Sequence, residues 1–180
     1  IMKTDGKVYD ALSKLVTYPR PGFGEAAEEW IAVVANASEV AKEALQPFTE
    51  FLKGKSDEEM EELFARTFDN SASAALETGW HVFGEAYERG GFLVKMRELL
   101  RENEITEGSE LPDHLCHVMA VLARCDDVIA SELSQNVAIP AVKKICVSLA
   151  ANDNPYEPVL DAVLAVLNMH VQETNGNPQS

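Results

Sequence analysis

Leu76-Glu77-Thr78-Gly79-Trp80-His81-Val82-Phe83-Gly84-Glu85-Ala86-Tyr87 is the stretch on which the fold is read, and it lies inside a longer run, 60–122, rich in unusual residues at helical spacing. Leu76, Trp80, Phe83 and Tyr87 recur at intervals of four, three and four. That spacing aligns one aliphatic and three aromatic side chains on one face of a helix expected over 72–88. Glycine inside a helix costs about 1 kcal/mol relative to alanine, so Gly79 and Gly84 signal close approach by another helix, a ligand or a peptide. The missing side chain at Gly84 leaves a notch beside the Trp80 indole. An aromatic stripe is more often core than binding site, so the functional reading needs support from elsewhere.

The flanking segments repeat the helical period. Helices are expected over 8–17, ended by Tyr18-Pro19-Arg20-Pro21-Gly22, and over 25–35 with Ala27, Trp30, Ile31 and Val34 inward. Ser38 caps a third, in which Pro47 predicts a kink or break. Ser56 and Glu59 have capping-box spacing and open a fourth that buries Met60, Leu63, Phe64 and Phe68. Asp69-Asn70-Ser71 breaks it, and Arg89-Gly90-Gly91 ends the striped helix. A sixth helix over 92–101 precedes an acidic linker, 102–110. A seventh over 112–123 is apolar nearly all round, an eighth starts at Asp126-Asp127, and a ninth starts near Pro140. The last covers 157–171, and the tail 173–180 is expected to be disordered. No segment alternates with period two, and no repeat of fixed period is present. The chain therefore reads as all-α, one compact helical bundle of eight to ten helices over residues 1–180.

Composition narrows the partners. A net charge of -15 repels phosphate backbones and anionic lipid and attracts basic peptides, which excludes nucleic acid. No run reaches the roughly 18 apolar residues of a membrane span, and Asp5 and Asp10 interrupt any signal peptide, so a cytoplasmic protein is expected. Cys116, Cys125 and Cys146 are odd in number and lie in apolar helical contexts, which favours buried thiols over disulfides.

Leu111-Pro112-Asp113-His114-Leu115 opens the seventh helix with two ionisable groups, where unpaired N–H groups make a polar pocket. Asp113 and His117 lie four apart and are expected to pair across one turn, while the adjacent Asp113 and His114 diverge. An enzyme reading would use Asp113, His117 and Glu85 as an acid-base site. No zinc-type ligand spacing is present around His114, Cys116, His117 and Cys125, and no metal site is expected. No GxxxxGK[ST], GxGxxG or GxSxG motif occurs, and no catalytic residue is assigned.

Phe64-Ala65-Arg66-Thr67-Phe68-Asp69, Gly79-Trp80-His81-Val82-Phe83-Gly84-Glu85, Tyr87-Glu88-Arg89-Gly90 and Glu110-Leu111-Pro112-Asp113-His114-Leu115, with the opening Ala11-Leu12-Ser13-Lys14-Leu15-Val16-Thr17-Tyr18-Pro19, resemble the redox-enzyme maturation chaperones. Among them the chain is most similar to the nitrate reductase delta subunit, or molybdenum cofactor assembly chaperone, branch. The resemblance implies a non-catalytic cytoplasmic chaperone with no bound cofactor. Such a protein binds the twin-arginine-like N-terminal peptide of a molybdopterin oxidoreductase catalytic subunit while the cofactor is inserted. It places Asp113 as arginine acceptor and His114 as a hydrogen-bonding wall, with Trp80, Phe83 and Tyr87 as an apolar groove and Glu85 as a second acid. Leu111 stands where one branch has glutamate, and His114 where another has tyrosine, which leaves the client open. A permanent structural subunit of an oxidoreductase is the other binding-protein reading, and a homodimer formed by exchanging helices is left open.

Overall fold

Caps and prolines divide the chain into helices. The computed structural model describes residues 4–176. There the chain forms α1 (Thr4–Leu15), α2 (Phe23–Ala37), α3 (Glu39–Leu52), α4 (Asp57–Phe64), α5 (Thr78–Phe83), α6 (Tyr87–Glu102), α7 (Leu115–Leu122), α8 (Asp127–Leu133), α9 (Ile139–Ala151) and α10 (Glu157–Gly176). No strand forms among the described residues, and the fold is all-α.

Local chemistry sets most of the boundaries. Ser56 Oγ accepts from the Glu59 amide and the Glu59 carboxylate accepts from the Ser56 amide, a reciprocal box that starts α4 sharply. Ser38 caps α3 through the Ala41 amide, and Asp126 caps α8 through the Ile129 amide. Pro47 does not break α3, which runs through it from Glu39 to Leu52. Two π-helical turns widen longer helical runs: Ala65–Asp69 continues α4, and Ser134–Ala138 joins α8 to α9. The described part of the expected disordered tail, 173–176, is the last turn of α10. The remainder of that tail lies outside the described residues.

Helix α10 packs against α3 and α9, while α1 packs against α2 and α7. The meeting faces are apolar, and α10 buries Val159, Leu160, Val163, Val166 and Leu167. Tyr156, fully buried, anchors an aromatic cluster with ring centroids 5.3 Å from Phe48, 5.7 Å from Phe64 and 5.1 Å from Phe68. Its hydroxyl has no hydrogen-bond partner, and burial pushes its pKa up.

The striped helix expected over 72–88 does not form. A short 3₁₀ turn, Ala72–Ala74, is followed by an extended segment that pairs with the turn before α7. The Thr78 amide donates to Asp113 O at 2.9 Å and the Leu115 amide to Leu76 O at 2.8 Å. Only then does α5 begin, and Gly84 stops it with φ 61°, a left-handed backbone that disfavours side chains. Tyr87 therefore starts the next helix and is 95% exposed, on a different element from Trp80 and Phe83. Arg89, Gly90 and Gly91 lie inside α6 rather than at a helix end. The long-range pairing at Leu76 and Thr78 supersedes the local helical period.

Candidate functional site

The extended segment and the turn before α7 create the most elaborate polar environment among the described residues. Asp113 sits in that turn, outside α7, and is fully buried. Its Oδ2 accepts from the Gly79 amide at 3.1 Å and from Arg89 Nε at 3.2 Å. Its other oxygen, Oδ1, has no hydrogen-bond partner. Gly79 owes its identity to this carboxylate, because a Cβ there would lie 2.6 Å from Asp113 Oδ2 and 3.0 Å from Phe92 Cδ1. Close approach was expected at this glycine, and the approaching group is an internal acid. Gly84 has nothing within 4 Å of an added Cβ, and its role is conformational.

His114 follows as the N-cap of α7 and accepts from the Cys116 amide through Nδ1 at 3.1 Å. That bond fixes the neutral tautomer with its proton on Nε2. Burial, with His117 adding to it, lowers the His114 pKa to about 3, so the ring is uncharged at neutral pH. The Glu110 carboxylate, 3.8 Å from Nε2, is beyond hydrogen-bond reach and forms no ion pair with a neutral ring. His117 Nδ1–H donates to Leu111 O at 2.8 Å. The expected Asp113–His117 pair is thus replaced by separate partners: Asp113 turns to Gly79 and Arg89, and His117 turns to the backbone of its own turn. The acid-base dyad of the enzyme reading does not assemble.

A cleft of ≈ 420 Å³ opens beside His114, walled by the π-helical turn and the extended segment, including Asp69, Asn70, Ser71 and Glu77. Burial raises the Glu77 pKa, and the nearby carboxylates of Asp113 and Glu110 push it the same way. Asp69, exposed at the rim, is also raised by partial burial. Sequence reasoning missed Glu77 and treated Asp69 only as part of a helix break. The available signal was two acids flanking a polar break, but the distant His114 gives them meaning.

The remaining expected site residues are spread around this centre. Trp80 is half-buried and its indole N–H donates to Ala72 O at 3.0 Å. It lines a shallow depression with His81 and Lys144, apart from the His114 cleft. Phe83 packs its ring 5.5 Å from Phe92 of α6. Glu85 and Tyr87 are exposed beyond the Gly84 turn. Asp113 and His114 are adjacent in space to the start of α5, whereas the three aromatic residues do not share one groove.

Among the described residues, no group of three or more His, Cys, Asp or Glu side chains is placed to hold a metal ion. No helix among them is long and apolar enough to cross a membrane. No disulfide links the described cysteines: Cys116 is buried, and Cys125 and Cys146 are half-buried. Burial pushes the Cys116 and Cys146 thiols up to about 12, so they are protonated and unreactive at neutral pH.

The family model described as nitrate reductase delta subunit matches residues 35–172. The chain belongs to the nitrate reductase delta subunit family. The match takes in every element of the site, from the π-helical turn at Ala65–Asp69 through α5 and α6 to the N-cap of α7. Curated proteins yield no match to the chain. The delta subunit family is a family of chaperones, which suggests a part in molybdoenzyme maturation.

Proposed function

We propose that this protein is a dedicated cytoplasmic chaperone that binds the basic N-terminal peptide of a molybdoenzyme catalytic subunit, such as a nitrate reductase, and holds it until the molybdenum cofactor is inserted. The observation that carries this reading is the family match over 35–172, which contains the whole His114 site. The net charge of -15 supports it, since a twin-arginine-like peptide is attracted to such a surface and guanidinium forks pair well with carboxylates. Asp113 and His114 form the centre of the peptide site. Trp80 and Phe83 supply apolar contact beside it, with Glu85 and Tyr87 on the exposed rim. Asp113 already holds Arg89 on one oxygen. A peptide arginine reaches it only by displacing Arg89 or by opening access to the buried Oδ1.

Affinity capture from native cytosol tests the reading. Tagged protein is expected to retain the cofactor-free form of one molybdopterin oxidoreductase catalytic subunit, and deleting its gene is expected to lower the molybdenum content of that enzyme. A normally loaded enzyme in the deletion strain would overturn the proposal. Stoichiometric retention in the mature complex would instead make the protein a structural subunit.

A further inference from the structure

We propose that the cleft beside His114 is the subsite for a guanidinium side chain of the client peptide, with Glu77 and Asp69 as its carboxylate acceptors and His114 Nε2–H as a donor to a neighbouring peptide carbonyl. This rests on the peptide-chaperone reading above and names residues for it that the family resemblance did not supply.

The first argument is availability. Asp113 has no exposed surface and its Oδ2 is committed to Gly79 and Arg89. Glu77 and Asp69 instead wall an open cleft, and among the described residues neither forms an ion pair with a cationic side chain. Arg89 eases Glu77 only weakly compared with burial and the two neighbouring acids, so the carboxylate stands in an environment short of positive charge. A guanidinium entering the cleft supplies that charge and can bridge two acids through its forked donors.

The second argument is independent of the acids. His114 is 4% exposed and lines the same cleft. Its Nδ1 is consumed by the Cys116 amide, so Nε2 carries a proton, and among the described residues the Glu110 carboxylate, at 3.8 Å, is beyond hydrogen-bond distance of it. This N–H is accessible from the cleft, and a peptide carbonyl laid across it is a suitable acceptor. A donor and two acids lining one cleft, with His114 directly paired to Glu77, match one arginine residue: a cationic side chain beside its own backbone carbonyl.

Glu77 and Asp69 can be changed without dismantling the fold, because the Leu76–Thr78 pairing with the α7 turn runs through backbone atoms and the Thr78 hydroxyl and uses neither acid's side chain. The test titrates wild type and the Glu77→Gln, Asp69→Asn double variant with synthetic N-terminal peptides of the source organism's molybdopterin oxidoreductase catalytic subunits. Each peptide is also made with citrulline replacing arginine, which keeps the shape and removes the charge. Wild type is expected to lose about tenfold in affinity for the citrulline peptide, and the variant to lose about tenfold for the arginine peptide while binding both peptides alike. Equal binding of the arginine peptide by wild type and variant overturns the subsite and leaves the chaperone reading standing. An arginine-to-citrulline loss of the same size in both proteins does likewise. If wild type binds none of the peptides, both readings fall.

Discussion

Arg89 Nε lies 3.2 Å from Asp113 Oδ2, and this pair ties the first turn of α6 to the turn that launches α7. The carboxylate is fully buried and the arginine side chain is 23% exposed. Such a pair is worth little over an apolar substitute, but removing one partner strands the other in a low-dielectric site. Asp113→Ala is expected to destabilise the protein by about 3–5 kcal/mol, and Arg89→Ala by a similar amount. The double variant is expected to cost less than their sum, as urea unfolding of the four proteins would measure. An additive result would mean that the two side chains do not interact.

Gly79→Ala places a methyl group against Asp113 Oδ2 and Phe92. The carboxylate cannot retreat without breaking its bonds to Gly79 and Arg89. Overpacking is expected to outweigh the gain in helix propensity, for a net loss of about 1–3 kcal/mol in thermal or urea unfolding. Gly90→Ala, where an added Cβ meets nothing within 4 Å, is the control and is expected to be stabilising.

Tyr156→Phe removes the buried hydroxyl that has no partner and leaves the aromatic cluster intact. A gain of about 1 kcal/mol is expected in urea unfolding, against the usual loss on changing a core residue. A loss of stability would place a hydrogen-bond partner at that oxygen.

His114 is held neutral in the fold, with its pKa near 3 against 6.5 when unfolded. The unfolded chain therefore binds more protons between those values, and stability rises with pH across that window, reaching full value above about pH 6.5. Buried His81, lowered by burial and then by Lys144, acts in the same direction. Raised Glu77 and Asp69 act oppositely above their ordinary carboxylate range. Chemical denaturation from pH 4 to pH 8 is expected to show stability climbing between about pH 5 and 6.5, with a shallower slope in His114→Gln. An unchanged slope in that variant would show that His114 titrates normally in the fold.

Most helix starts were legible because capping is a local transaction. Ser38, Ser56 with Glu59, and Asp126 each satisfy an orphan amide within three residues of their own position. The same locality explains the error over 72–88. Leu76, Trp80, Phe83 and Tyr87 keep helical spacing across an extended segment, the short α5 and the start of α6; Gly84 makes the second break, and the first is imposed at Leu76 and Thr78 by Asp113 and Leu115, more than 30 residues away. Periodicity contains no information about that pairing. Asp113 and His114 were recognisable as a pair of ionisable groups at a helix start, but their partners were not. Arg89 looked like a helix-end cation, and Glu77 drew no reading at all. The Gly79 signal was sound in kind, since a costly glycine did mark close approach.

Phe68 and Asp69 are consecutive in one widened turn, the first packed on Tyr156 in the core and the second on the rim of the cleft. A shift of this turn's backbone moves the rim acid and the aromatic centre together, whereas a change of the exposed Asp69 side chain alone leaves the centre in place. Asn70 and Ser71 also lie outside the core and leave the aromatic packing untouched when they change. Side chains at those two positions can reshape the cleft while the aromatic centre stays fixed.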